Sequence, residues 1–69
     1  MKIKVNGVEK SIKSSQKFIS LNETLKFLGY ESNTIIVELN NLIINSDGWK
    51  ERKIEEGDKL EIVSIVGGG

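Results

Sequence analysis

The feature that most constrains the fold of this 69-residue chain is that it contains no cysteine. A chain of this length supports one domain, and such a domain buries only about 60% of the surface that its unfolded chain exposes. Without cysteine it has neither disulfides nor thiolate metal sites to add stability. We therefore expect one domain held together by packing and hydrogen bonds, in a cytoplasmic rather than a secreted protein.

Composition also narrows the classes of function. The ten basic and ten acidic side chains cancel, so no overall electric field would concentrate nucleic acid or an anionic membrane near the protein. The chain has no histidine, which removes the commonest general base and the commonest metal ligand. We expect no nucleic acid, no membrane, no bound metal or cofactor, and no catalytic residue.

The first thirteen residues have the pattern of a β-hairpin. Polar and apolar side chains alternate over residues 2–6, as in a strand with one buried face. Asn6-Gly7 supplies the left-handed backbone that a tight turn needs, and residues 8–13 continue as the return strand.

One short helix follows. Ser20 and Glu23 have the Ser-x-x-Glu spacing at which side chains satisfy the free N–H groups of a helix start. One face of this helix then carries Leu21, Thr24, Leu25 and Leu28. Gly29 lies where a left-handed residue would end the helix, which predicts a helix over residues 21–28.

The second half of the chain reads as three strands. Residues 35–39 and 42–44 are rich in β-branched side chains and flank Asn40-Asn41, which predicts another hairpin. Residues 46–49 form a turn or one helical turn, from which Trp49 folds back onto the core rather than serving as a platform for a base. A last strand begins at Leu60 and runs to Val66.

The acidic cluster between these segments contains Glu55, Glu56 and Asp58. A cation site needs oxygens that converge from several positions of a loop, and no such loop pattern is present. We therefore interpret the cluster as a solvated turn.

The predicted order is strand, strand, helix, strand, strand, strand. This ββαβββ order, with one main helix packed on one face of a mixed sheet, is the α+β arrangement called the β-grasp. We predict a β-grasp domain over residues 1–66 and a flexible C-terminal glycine tail over residues 67–69.

The tail and one face of the last strand are the candidate functional features. Glycine has no Cβ, so Gly67, Gly68 and Gly69 can enter a channel too narrow for side chains, and they reach about 10 Å beyond the sheet. A frayed end is the structural alternative. Val63 and Ile65 point away from the predicted core, and Ile43, with Ile36, is expected beside them as a docking surface for a partner protein.

The most distinctive stretches are residues 36–40 (Ile-Val-Glu-Leu-Asn), Trp49, residues 57–63 (Gly-Asp-Lys-Leu-Glu-Ile-Val) and residues 66–69 (Val-Gly-Gly-Gly). Together they resemble the ThiS family of bacterial sulfur carriers in thiamin biosynthesis, which are ubiquitin-like in fold and tail. The resemblance covers the whole chain. Asn40-Asn41 departs from it, because relatives often have Asn-Gly in this turn.

The resemblance implies a function for the C-terminal carboxylate of Gly69. A ThiF-type adenylating enzyme would use ATP and Mg to form an acyl-adenylate there, and sulfur from a cysteine desulfurase or related sulfur donor would replace AMP. The resulting thiocarboxylate would deliver sulfur to thiazole synthase, ThiG. Gly67, Gly68 and Gly69 would occupy the partner's channel, while Val63, Ile65 and Ile43 would contribute to docking.

Three alternatives to a thiamin carrier stay open on the sequence. A MoaD-like carrier for molybdopterin, or another β-grasp sulfur carrier, would share the fold and tail. A β-grasp interaction module would use the Val63 and Ile65 face and leave the tail inert. An enzyme would need a constellation of side chains in a pocket, which no spacing in the chain supports. We expect a monomer when the protein is free.

Overall fold

A computed structural model describes residues 1–13, 18–30 and 34–65 of the chain. Its elements are, in chain order, β1 (Lys2–Val5), β2 (Val8–Ser11), β3 (Phe18–Ser20), α1 (Leu21–Leu28), β4 (Ile35–Leu39), β5 (Leu42–Ile44), a 3-10 turn (Ser46–Gly48), β6 (Lys53–Glu55) and β7 (Lys59–Ser64).

Five strands form one mixed sheet in the order β2-β1-β7-β4-β5. The central strands β1 and β7 run parallel, and every other neighbouring pair in this sheet is antiparallel. These are the five strands that the sequence predicts, and β7 ends at Ser64, two residues before the predicted end. Both predicted hairpins are confirmed, with positive φ at Asn6, Asn40 and Asn41.

A second, two-stranded sheet was not predicted. β3 and β6 pair antiparallel, with Phe18 opposite Glu55 and Ser20 opposite Lys53. Each strand has only three residues, which is too short for alternation to be recognised in the sequence. The part of the chain that the structure describes therefore has seven strands rather than five.

The helix α1 has the predicted bounds because both of its ends are capped. The Ser20 hydroxyl accepts a hydrogen bond from the Glu23 backbone N–H at 3.1 Å. At the other end, Gly29 adopts φ 88° and donates its N–H to the carbonyl of Lys26 at 3.1 Å. With eight residues, α1 is too short to cross a membrane, and no other described helix is long and apolar enough to do so.

One hydrophobic core joins the helix to the sheet. Its fully buried members include Leu21 of α1, Ile3 of β1 and Leu60 of β7. Trp49 folds back onto this core, as predicted: it is 2% exposed, and its indole N–H donates to the carbonyl of Ile44 at 2.9 Å. The 3-10 turn before Trp49 positions the ring for both interactions.

Candidate functional site

The sheet has an inner face that packs in the core with α1 and an outer face that is open to solvent. Side chains of β7 alternate between these faces: Leu60 is fully buried, whereas Val63 is 58% exposed. Ile65 is also exposed, and Ile62 is buried. The predicted assignment of β7 side chains to the two faces is confirmed.

Exposed apolar side chains lie together on the outer face. Ile36 of β4 lies directly opposite Val63 of β7. Ile43 of β5 lies opposite Glu38, so Ile36 is its diagonal neighbour. We call Ile36, Ile43, Val63 and Ile65 the outer patch. Because β4 separates β5 from β7, Ile36 is the residue that connects Ile43 to Val63.

The outer patch continues into a shallow groove of about 360 Å³. Ile36 and Ile43 line it together with Ser46 and the edge of Trp49. Sequence reasoning missed this groove because it depends on the path of the chain as it leaves β5 through the 3-10 turn. The groove gives the patch a concave rim lined largely by apolar side chains.

Charged residues on the outer face lie in two rows beside the patch. Glu38 of β4 and Glu61 of β7 are directly opposite each other. Each lies two residues along its strand from the pair formed by Ile36 and Val63. The next row places Lys4 of β1 opposite Lys59 of β7. Like charges therefore face each other in the pair Glu38 and Glu61 and in the pair Lys4 and Lys59, which is destabilising in an isolated sheet. Lys4 also lies opposite Glu9 of β2, which offsets the repulsion in the second row. Sequence reasoning missed these pairs because they depend on the register of distant strands.

The acidic turn before β7 has a structural role. The Asp58 carboxylate accepts hydrogen bonds from the Glu55 backbone N–H at 2.8 Å and from the Asn40 side-chain amide at 3.2 Å. The Glu56 carboxylate accepts from the Lys2 backbone N–H at 2.9 Å. Over residues 1–13, 18–30 and 34–65, no three His, Cys, Asp or Glu side chains are grouped so that they could hold a metal ion.

The predicted tail, Gly67, Gly68 and Gly69, lies outside the described residues. The structure does describe the strand that leads to it. Ile65 donates its backbone N–H to the carbonyl of Thr34 at 2.6 Å, so hydrogen bonding along the β4 side of β7 extends one residue beyond the end of the strand. Ile65, the last described residue before the tail, therefore stays hydrogen-bonded beside β4 and follows the strand that carries Val63 of the outer patch.

These features define the class of the protein: a small β-grasp protein of the ubiquitin-like kind, with an open apolar sheet face beside its last strand. The crystal structure of a thiamine biosynthesis protein (ThiS) from Geobacter metallireducens is similar, with a TM-score of 0.84, 24% identity and complete coverage of both chains. An NMR structure of a thiamine biosynthesis protein from the same organism is also similar, with a TM-score of 0.80 and 24% identity over all of this chain and 88% of that one. The predicted β-grasp fold is confirmed.

The sequence gives the family. The model of the ThiS family matches residues 3–69, and the chain belongs to that family, whose members are small sulfur carrier proteins and not catalysts. The uncharacterized protein ycf40 of Trieres chinensis is 41% identical over 51 residues, which are 74% of this chain and 70% of that protein.

A longer relative is similar to this chain over its full length. The thiazole synthase of Paramagnetospirillum magneticum is 35% identical over all 69 residues of this chain. The chain spans only 20% of the length of that enzyme.

Proposed function

We propose that the protein carries sulfur as a thiocarboxylate on Gly69 and delivers it for thiazole formation in thiamin biosynthesis. The observation that carries this proposal is that the match to the ThiS family runs through the last residue, so that the three closing glycines belong to the family pattern. The chain also offers no cysteine on which sulfur could be held instead.

Activation has to come from another protein. A carboxylate is a poor electrophile until one of its oxygens becomes part of a leaving group. In the proposed reaction, a carboxylate oxygen of Gly69 attacks ATP in a ThiF-type adenylating enzyme, with Mg bound there, and pyrophosphate leaves. The terminal sulfur of a persulfide on a cysteine desulfurase or related donor then attacks the acyl carbon, and AMP leaves. A thiol cleaves the S–S bond of the resulting acyl disulfide, supplying two electrons and forming a disulfide with the donor, and the thiocarboxylate is released. The enzyme supplies the nucleotide and the electrostatic stabilisation of phosphoryl transfer.

In this reaction the chain presents its C-terminal carboxylate to the adenylating enzyme and supplies no catalytic residue. Gly67, Gly68 and Gly69 enter the narrow channel of the enzyme, since residues without Cβ atoms allow close approach of the backbone. The outer patch docks on the enzyme, with Val63 and Ile65 nearest to the tail and Ile43 at the far end. Apolar contact over this patch orients the tail toward the nucleotide.

Thiazole synthase, ThiG, is the proposed acceptor of the sulfur. The thiazole synthase of Paramagnetospirillum magneticum includes a segment similar to this whole chain, which supports a function of this chain in the same pathway as thiazole synthase. A MoaD-like carrier would pass its sulfur to a different acceptor.

The test is incubation with a ThiF-type adenylating enzyme, Mg-ATP and a sulfur donor, followed by intact mass and fragmentation. We expect one oxygen replaced by sulfur at Gly69, with fragmentation excluding oxidation of Met1. A variant that lacks Gly69 should fold normally and remain unmodified. If the wild type gains neither AMP nor sulfur, the protein is an interaction module with an inert tail. If sulfur is gained but passes only to a molybdopterin system, the thiamin assignment is wrong.

A further inference from the structure

The most unusual feature of the outer face is the pair formed by Glu38 and Glu61. The two residues are directly opposite each other across β4 and β7, in the middle of the sheet rather than at its edge. Glu61 is exposed, whereas Glu38 is half-buried. Glu38 also lies opposite Ile43 on its other side. The two carboxylates therefore lie next to the apolar side chains of the outer patch.

Neither carboxylate of the pair forms an ion pair with a residue that the structure describes. The single ion pair over residues 1–13, 18–30 and 34–65 joins Lys2 and Glu9, at 4.0 Å. Lys59 is two residues before Glu61 on the same face, but it lies opposite Lys4 and forms no ion pair with either carboxylate. In the free protein, water solvates both carboxylates and makes this arrangement tolerable.

Docking of a partner on the outer patch changes the solvation of the two carboxylates. A partner that covers Ile36, Ile43 and Val63 also removes water from the carboxylates between and beside them. Two like charges with little water and no counterion are strongly unfavourable, far more so than a neutral polar pair. A partner surface that supplies positive charge at this position therefore covers the apolar patch more favourably than an uncharged one.

We propose that the docking surface of the adenylating enzyme carries an arginine whose guanidinium bridges Glu38 and Glu61, surrounded by apolar side chains that contact the outer patch. This inference rests on the proposed function, because it assigns the chemistry of the partner that reaches the tail. Arginine fits better than lysine, since its planar guanidinium offers five N–H donors and can bond two carboxylates at once. The carboxylate pair thus selects the partner by charge, while the patch supplies the contact area.

The test compares binding of the full-length chain and a double variant, Glu38→Gln/Glu61→Gln, to a ThiF-type adenylating enzyme by calorimetry. The variant keeps the size of both side chains and removes both charges. We expect its Kd to rise about tenfold or more. Its thermal unfolding midpoint should be equal to or above that of the wild type, because a like-charge pair has been removed.

A matched control separates the local effect from the overall loss of negative charge. The double variant Glu23→Gln/Glu51→Gln changes the net charge equally at exposed positions outside the outer face, and we expect its Kd to stay within about twofold of the wild type. The proposal is overturned if the Glu38→Gln/Glu61→Gln variant binds as tightly as the wild type, or if both double variants lose affinity equally.

The outcome for the proposed function is read separately, from transfer of AMP to the wild-type chain by the same enzyme. If the wild type is adenylated while the Glu38→Gln/Glu61→Gln variant binds equally well, only the arginine bridge is wrong. If the wild type neither binds nor gains AMP, both proposals are wrong.

Discussion

The side-chain amide of Asn6 pairs with the backbone of Ile62 in the way that a strand residue would. Its Nδ2 donates to the carbonyl of Ile62 at 3.2 Å, and its Oδ1 accepts from the N–H of Ile62 at 2.7 Å. The parallel pairing of β1 with β7 covers only Lys4 and Val5, because the chain turns away at Asn6 with φ 52°. The two hydrogen bonds of the amide therefore extend the pairing between β1 and β7 toward the C-terminal end of β7.

The first prediction concerns this amide. Asn6→Gly keeps the positive φ and removes both side-chain hydrogen bonds, which leaves the part-buried backbone groups of Ile62 without these partners. We expect the free energy of unfolding to fall by about 1–3 kcal/mol, measured by urea denaturation. Asn6→Asp retains the acceptor and loses the donor, so it should also be destabilising. Unchanged stability of Asn6→Gly would show that water replaces the amide without loss.

The second prediction contrasts two adjacent asparagines in the β4–β5 turn. Asn40 has φ 50°, and its side chain accepts from the Lys59 N–H at 3.0 Å and donates to Asp58. Asn41 has φ 71°, and its side chain forms no hydrogen bond with residues 1–13, 18–30 or 34–65. Asn41→Gly should therefore raise the free energy of unfolding by about 0.5 kcal/mol, since glycine adopts this conformation without strain.

Asn40→Gly should have the opposite effect and lower the free energy of unfolding by about 1–2 kcal/mol, because the side-chain hydrogen bonds of Asn40 are lost. Chemical denaturation of the two variants side by side checks both values. Asn41→Gly is the control for Asn40→Gly, because the same substitution is made at the adjacent position of the same turn. If both variants shift stability in one direction, the side-chain bonds of Asn40 are not what distinguishes the two positions.

The third prediction concerns Trp49, the only tryptophan of the chain. Trp49→Phe leaves a cavity and deprives the Ile44 carbonyl of its donor, so the free energy of unfolding should fall by about 2–4 kcal/mol. Circular dichroism during denaturation measures the loss, since the fluorescent reporter itself is removed. Phe27, which is 56% exposed on α1, offers the control: Phe27→Leu should change stability by less than about 0.5 kcal/mol.

Local features of the sequence predicted α1, the five strands of the main sheet and the faces of β7, but not the short strands β3 and β6. Ser20 and Gly29 fixed the ends of α1 because capping acts within a few residues of the chain. Alternation assigned Val63 to the open face of β7 because successive side chains of any strand point in opposite directions. Resemblance to known carriers then supplied the family.

Features that depend on the register of distant strands were not predicted. Glu38 and Glu61 are paired only because β4 and β7 align in one particular register. The amide of Asn6 meets Ile62 only because the first and last strands are neighbours. Both contacts join segments that are far apart in the chain, so neither periodicity nor capping signals could indicate them.

The last prediction tests docking through the outer patch with two exposed valines. Val63 is 58% exposed within the patch, and Val8 is 55% exposed on β2, away from it. Val63→Lys and Val8→Lys therefore add the same charge at equally exposed strand positions, and both variants should fold with unfolding midpoints close to that of the wild type. If the partner docks on the outer patch as proposed, only Val63→Lys introduces a charge into the apolar contact.

We expect Val63→Lys to weaken binding to the adenylating enzyme by about tenfold or more, and Val8→Lys by less than about twofold. Ile65→Lys should behave like Val63→Lys, because both residues point to the same side of the strand that leads into the tail. Calorimetric Kd values for the three variants check this ranking. Equal affinities for Val63→Lys and Val8→Lys would exclude the outer patch from the interface, whereas a selective loss at Val63 and Ile65 would place the partner against the outer face beside the strand that precedes the tail.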